Sequence, residues 1–490
     1  MPTNYYTQNK HLFWRAAFGP MIEDNEQLKS TTPKKYFEAI LNASSIAPNP
    51  ITIVNKADYA LQADLAMEDK LNADQKNLKR KLYIRDLKAL NLAWVNEMAN
   101  SQQQLLEKMA LFWHGHFATR VINIFYQEQY LEILRNNALG NFGTLLKTIS
   151  KSASMLNFLN NNKNSKKSPN ENFAREVMEL FTLGRGNYTE ADVKNGARAF
   201  TGWDNTIAGN FMFNPKKHDD GSKTFLGETG NFNGDAAIDI ILKQEQTAIF
   251  IVTKLYKFLV NETVDTKNVA YLADRFYKNN YEIKPLLTDI FTSSWFYEAK
   301  NIGVKIKSPM EFLVGMQRNI NLKYNNQAVQ LVFQKVLGQI LFYPPNVAGW
   351  AGGKNYIDST TLMVRLKLPQ TIISQNNFTI TPKPDDDVMM GMQMQNDDSN
   401  MESAIQNRKA KNFATDAKVR TTINWAMYCN SFLNTTKQNL LTHITNYLIQ
   451  PLTQQTTTKT LETFIDQSSR NAYIQSATMA VMSMPEYQLC

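Results

Sequence analysis

Along most of this 490-residue chain apolar side chains return every third or fourth position, the spacing that gathers them on one side of an α-helix, and the period-two alternation of a half-buried strand is sparse. A chain patterned this way folds by packing helices. Residues 12–18 present one burying face that Gly19 and Pro20 stop. A short helix is predicted from about Pro33 to Leu41, then a long one from about Ala73 to Asn100 on Leu78, Leu82, Leu90 and Trp94. Ser101 is the expected N-cap of the next helix, which buries Leu105, Met109 and Phe112 and has Gly115 as its expected interruption. Thr189 and Asp192 have the spacing of a capping box, and Gly184 marks the end of the helix before it. Further helices are predicted over 125–136, 142–159, 235–242, 247–260, 269–277, 283–291 and 309–319, and helical pattern returns from 414 onward. The expected fold is mainly α: a large multi-helix globular protein with long irregular loops and little β structure.

Composition agrees with a packed interior and narrows the chemistry. Apolar residues make up 43% of the chain and charged ones 20%, so a core forms and the chain is no disordered polyelectrolyte. The organisation expected is a principal helical domain over 1–370, a flexible Met, Asp and Asn-rich insertion over 371–410, and C-terminal helices over 411–490 packed on the principal domain. Two cysteines, Cys429 and Cys490, exclude a disulfide scaffold and a cysteine-built metal site. The net charge of +9 favours an anionic or polar partner, but its lysines are scattered and make no nucleic-acid-binding block. No apolar run reaches the length of a membrane span, and residues 1–19 lack the basic region and apolar run of a secretory signal. The expected location is therefore cytoplasmic, or periplasmic and envelope-associated if a signal segment has been removed.

The chain has only five histidines, which makes His114-Gly115-His116 and His218-Asp219-Asp220 conspicuous. Imidazole nitrogens and a carboxylate oxygen make a donor set for zinc, iron or manganese, and His114, His116, His218 and Asp219 are the candidate ligands. Within a regular helix, positions i and i+2 point about 200° apart, so joint coordination by His114 and His116 requires the helix to end there. Structural capping by the same histidines is the competing reading. Glu176 is the candidate general base, and Arg15 the candidate for steadying negative charge. Arg198 and Trp203 are candidates for holding substrate, although ion pairing and core packing suit them as well. Arg175 has the spacing to pair with Glu179. GRGNYTE lacks the order of a phosphate loop, GETGNFNG misses a dinucleotide fingerprint, and no G-x-S-x-G elbow occurs.

These stretches bring the chain close to a known family. HLFWRAAFG at His11, FWHGHFAT at Phe112, the long NENFAREVMELFTLGRGNYTEADVKNGARAFTGW at Asn170, HDDGSKTFLG at His218 and LGQILFYPPNVAGWAGG at Leu337 occur in one order, and the chain resembles the DUF1800 family of bacterial proteins of uncharacterised function. The resemblance implies a large, mainly helical protein, with the family histidines at His114, His116 and His218 and its acidic helix residue at Glu176. It also implies a gene neighbour similar to alkaline-phosphatase or sulfatase-like hydrolases, and hence polymer or cell-envelope metabolism. Two functions are expected from different classes. One is a metal-assisted hydrolase or oxidoreductase acting on an anionic or polar substrate; the other is a non-catalytic helical binding partner of the neighbouring hydrolase-like protein, recognisable by an exposed patch of aromatic residues and Met.

Overall fold

Helix starts in this chain are written with oxygen-bearing side chains that accept the backbone N–H groups a first turn leaves unpaired. Asn72 accepts from Gln75, Asn141 from Thr144, Thr189 from Asp192 and Ser308 from Glu311. The computed structural model describes residues 5–54, 71–378, 417–450 and 461–490, and it is mainly helical, with two-stranded antiparallel sheets. The chain divides into two compact units. The first comprises 1–18, 28–305 and 342–350; the second comprises 19–27, 306–341 and 351–490. The expected insertion at 371–410 lies, from residue 379 on, outside the described residues.

In the first unit the long helix runs from Ala73 to Asn100 as the periodicity predicts, but its buried stripe is Tyr83, Leu90, Trp94 and Met98, with Leu78 exposed. Ser101 ends that helix instead of opening the next, which runs from Gln104 to His116. Gly115 leaves this helix unbroken. The region expected as one helix over 142–159 is two, Phe142–Ser150 and Ala153–Phe158, because Ser152 turns out of the first and caps the second. The helix Glu171–Glu176 widens into a π-helical turn, Val177–Thr182, before Gly184 adopts the left-handed backbone at φ +81°.

A buried ion pair organises the centre of this unit. Arg135 Nη2 lies 2.6 Å from Glu107 Oε1, both side chains essentially closed to solvent, and Trp94 Nε1 donates to the other carboxylate oxygen at 2.8 Å. Arg135 also donates to the Asn49 carbonyl at 2.6 Å, so one guanidinium joins two helices and a connector. Burial raises the Glu107 pKa, and the hydrogen bond and charge of Arg135 oppose that shift.

The second unit has its own core, with Phe312, Met316, Phe333, Leu368, Tyr428 and Tyr447 at its centre. Its helices include Pro309–Asn319, Val329–Leu337, Ser359–Ile373, Leu440–Leu448 and Arg470–Met482. Pro309 stands at the first helical position, where its missing N–H costs nothing. Where continuous helical pattern is expected from 414, residues 421–423 instead form a strand paired with Leu322–Tyr324.

Candidate functional site

The helix carrying the paired histidines stays regular, so their side chains leave it in different directions and meet different neighbours. His114 Nε2 accepts the N–H of Phe342 at 3.2 Å, which puts the proton of the neutral ring on Nδ1. Its ring stacks on Trp350 at 5.2 Å and lies 5.1 Å from both Trp94 and Phe342. Burial pulls its pKa down to about 3. Gly349 makes this packing reachable: its φ is +79°, and a Cβ there would drive into the Gly115 carbonyl.

His116 faces the π-helical turn. Its Nε2 lies 3.1 Å from the Phe181 carbonyl oxygen, which accepts and never donates, so Nε2 carries the proton and Nδ1 carries the lone pair. Lys254 donates to that Nδ1 at 3.3 Å and to the Leu180 carbonyl at 2.9 Å. Burial, and after it the charge of Lys254, holds the His116 pKa well below its ordinary value. Burial also brings Lys254 down to about 8. These contacts satisfy carbonyls that the end of a helix leaves open.

His218 sits at the base of a hairpin. Its Nδ1 lies 2.9 Å from the Thr201 carbonyl, and Phe213 packs against its ring at 5.3 Å. Asp219 is taken up by Arg198, with Nε 2.7 Å from Oδ2, and by the Gly221 N–H at 2.8 Å. The Arg198 hydrogen bond holds the Asp219 carboxyl below its usual range. Thus Arg198 and Asp219, expected as substrate contact and metal ligand, are brought together as each other's partner. Trp203 is buried, with its ring against Phe200 at 5.1 Å and Phe211 at 5.5 Å, and it packs so closely on Gly234 that no Cβ fits there.

Among the described residues, no group of three or more His, Cys, Asp or Glu side chains is placed to hold a metal ion. His114, His116, His218 and Asp219 are therefore not gathered as a shared ligand set. Arg15 is buried, and its Nη2 donates to the Asn301 carbonyl at 3.0 Å, tying the helix Tyr5–Ala16 to a distant turn. Glu176 is half-buried; burial first, and the neighbouring Glu179 second, raise its pKa. Arg175 pairs with Glu190 at 2.7 Å and Glu171 at 3.3 Å, while Glu179 takes Arg185 and the Tyr188 hydroxyl, each at 2.7 Å. The expected Arg175–Glu179 pair is lost because the π-helical widening at Val177 breaks the α-helical spacing.

What converges is the hairpin itself. Strands Trp203–Asn205 and Phe211–Phe213 pair with Trp203 opposite Phe213 and Asn205 opposite Phe211. Phe211, Met212 and Phe213 are exposed to 37%, 42% and 43%, and Ile207 in the connecting turn to 62%; alternation along the strand puts Phe211 and Phe213 on one face, where they rest on Trp203 and His218, and Met212 on the other. The base is locked. Gly202, at φ +81°, lets Asn214 N–H donate to its carbonyl at 2.7 Å, and a Cβ there would stand 2.6 Å from the Asn214 oxygen. Lys217 pairs with Asp204 at 3.0 Å. The turn is braced as well, since Gln129 donates to the Ala208 carbonyl at 3.0 Å and Asn205 to the Tyr126 hydroxyl at 3.2 Å. Lys166 N–H donates to the Lys217 carbonyl at 2.8 Å, which brings the backbone of the 163–167 loop, with its exposed lysines, beside the segment that follows the hairpin. The run Asn-Phe-Met-Phe-Asn at 210–214 was the signal for this surface: apolar side chains in a loop-rich stretch with no helical period to bury them.

The architecture is that of a mainly helical protein presenting an apolar hairpin on a hydrogen-bonded base. A family model described as "Protein of unknown function (DUF1800)" matches residues 11–489, and the chain belongs to that family. No curated protein and no solved structure matches it. Among the described residues no helix is long and apolar enough to cross a membrane.

Proposed function

We propose that this protein is a binding partner, docking an acidic surface of another protein on the hairpin at 203–213, with the hydrolase-like neighbour of the family as the candidate partner. The observation that carries this reading is the exposure of Phe211, Met212 and Phe213 on a hairpin braced at both ends. Apolar side chains held out on ordered backbone lose little freedom on binding, so their burial goes into affinity. The lysine margin supplies the preference for an acidic surface through attraction during approach. The metal-assisted hydrolase or oxidoreductase reading needs an ion shared by His114, His116, His218 and Asp219; their separate hydrogen bonding lends it no support.

The test is a photoreactive amino acid placed at Met212 in the full-length chain in its native cell, with the same substitution at exposed Phe464 as control. A discrete cross-linked acidic protein at position 212, lost in a Phe211→Ser/Phe213→Ser variant with an unchanged melting temperature, is the expected result. Equal cross-linking from both positions would overturn the proposal.

A further inference from the structure

In an antiparallel pair, opposite residues alternate between those that exchange backbone hydrogen bonds and those whose N–H and C=O point away from the partner strand. At the base of the hairpin Asn214 N–H donates to the Gly202 carbonyl at 2.7 Å, and at its turn Thr206 N–H donates to the Asn210 carbonyl at 2.8 Å. Alternation across the register makes Asp204 and Met212 the bonded pair between them. The N–H and C=O of Phe211 and Phe213 therefore face outward, and among the described residues no group bonds them. An apolar edge left open in this way is a template for another strand.

A groove of about 340 Å³ opens where this strand begins, its walls including Gln129, Ile133, Lys147, Lys151, Asn210 and Phe211. Among the described residues no carboxylate lines it. Lys147 and Lys151 stand one helical turn apart, and each is held from the helix Gly234–Leu242, by Asp239 at 2.5 Å and by Asp235 at 2.7 Å. Lys151 Nζ also lies 5.2 Å from the centre of the Phe211 ring. An ammonium has three N–H donors, so one aspartate leaves others for an incoming anion.

We infer that the outer edge of Phe211–Phe213 takes an extended segment of the partner as a third strand, and that this segment places an acidic side chain in the groove at Lys147 and Lys151. The inference rests on the docking reading above and gives it a mode: main-chain hydrogen bonds to Phe211 and Phe213 supply affinity, and the two lysines select the sequence. Because the groove starts at Phe211, a strand laid along the edge continues over it.

The test reads cross-linking in the full-length chain in its native cell, with a photoreactive amino acid at Met212 or at Ile133. The same protein is expected from both positions, joined to Ile133 through a peptide that contains Asp or Glu. Phe213→Ser and Phe213→Pro both remove the ring, but only proline removes the outward N–H, a loss that an edge strand tolerates. With equal melting temperatures, the yield from Met212 in Phe213→Pro is expected about 10-fold below that in Phe213→Ser. Equal yields overturn the inference and leave the docking reading standing. So does an Ile133 that captures a peptide without acidic residues, or does not capture that protein, and this arm needs no variant at position 213. Absence of a discrete cross-link from Met212 removes the docking reading and the inference together.

Discussion

His114 remains neutral in the fold to about pH 3, because burial among Trp94, Phe342 and Trp350 denies its charged form water. In the unfolded chain an imidazole takes up its proton near pH 6.5, so between those values the unfolded state binds the extra proton. The stability this residue contributes is therefore complete above about pH 6.5 and falls as the pH is lowered, by about 1.4 kcal/mol per unit below about pH 6. His11 and His116, also held low by burial, act in the same direction. Urea midpoints at pH 7 and pH 5 check this; His114→Gln, which has no titrating ring, should shrink the difference and leave the share of His11 and His116. Glycines offer a second measurement at this scale. Gly186 and Gly349 both have positive φ, but only at Gly349 does a Cβ meet backbone. Gly186→Ala should cost about 1–2 kcal/mol and Gly349→Ala about 3 or more, read as loss of melting temperature. The scarcity of histidines drew attention to these positions in the sequence. Their roles were not, since a side chain's hydrogen-bond partner is set by residues far away in sequence, such as Phe342 for His114.

At the scale of elements, local rules carried well where they were sufficient. The capping box at Thr189, the proline opening at Pro309 and the span Ala73–Asn100 are all present, because each depends on residues within one or two turns. They failed where a neighbouring element intervened. Ser101 has the chemistry of an N-cap, yet it serves as the end of the long helix and leaves Gln103 to precede the next. The buried stripe of the long helix kept Leu90 and Trp94 but otherwise shifted for the same reason: Tyr83 and Asp86 follow what lies against the helix, and periodicity cannot name that neighbour. The Glu107–Arg135 pair joins elements that no local pattern connects. Removing one partner leaves the other charge buried and uncompensated, so Glu107→Ala should cost about 3–5 kcal/mol, measured by denaturant unfolding. A Glu107→Ala/Arg135→Met double variant should recover part of that loss.

Over the whole molecule, the net charge of +9 and the lysines beside the hairpin make salt the simplest probe of the proposed docking. Attraction between exposed charges is screened over about 10 Å at 0.1 M salt and over about 3 Å at 1 M. Partner affinity, measured by titration calorimetry, should fall about 10-fold or more between 50 mM and 500 mM salt. Lys166→Glu/Lys167→Glu should weaken it at low salt and shrink the salt dependence, while Phe213→Ser should weaken it at every salt concentration. Sequence alone determined that this chain is mainly helical, where most helices begin and end, and which family it belongs to, because those properties live in the spacing of residues near one another. Only the tertiary structure decided that His114, His116 and His218 take separate partners, that Arg198 closes on Asp219, and that Phe211 to Phe213 stay partly exposed. Each of these depends on whether distant segments cover, bond or leave open a given side chain, and burial is a property of the packed whole.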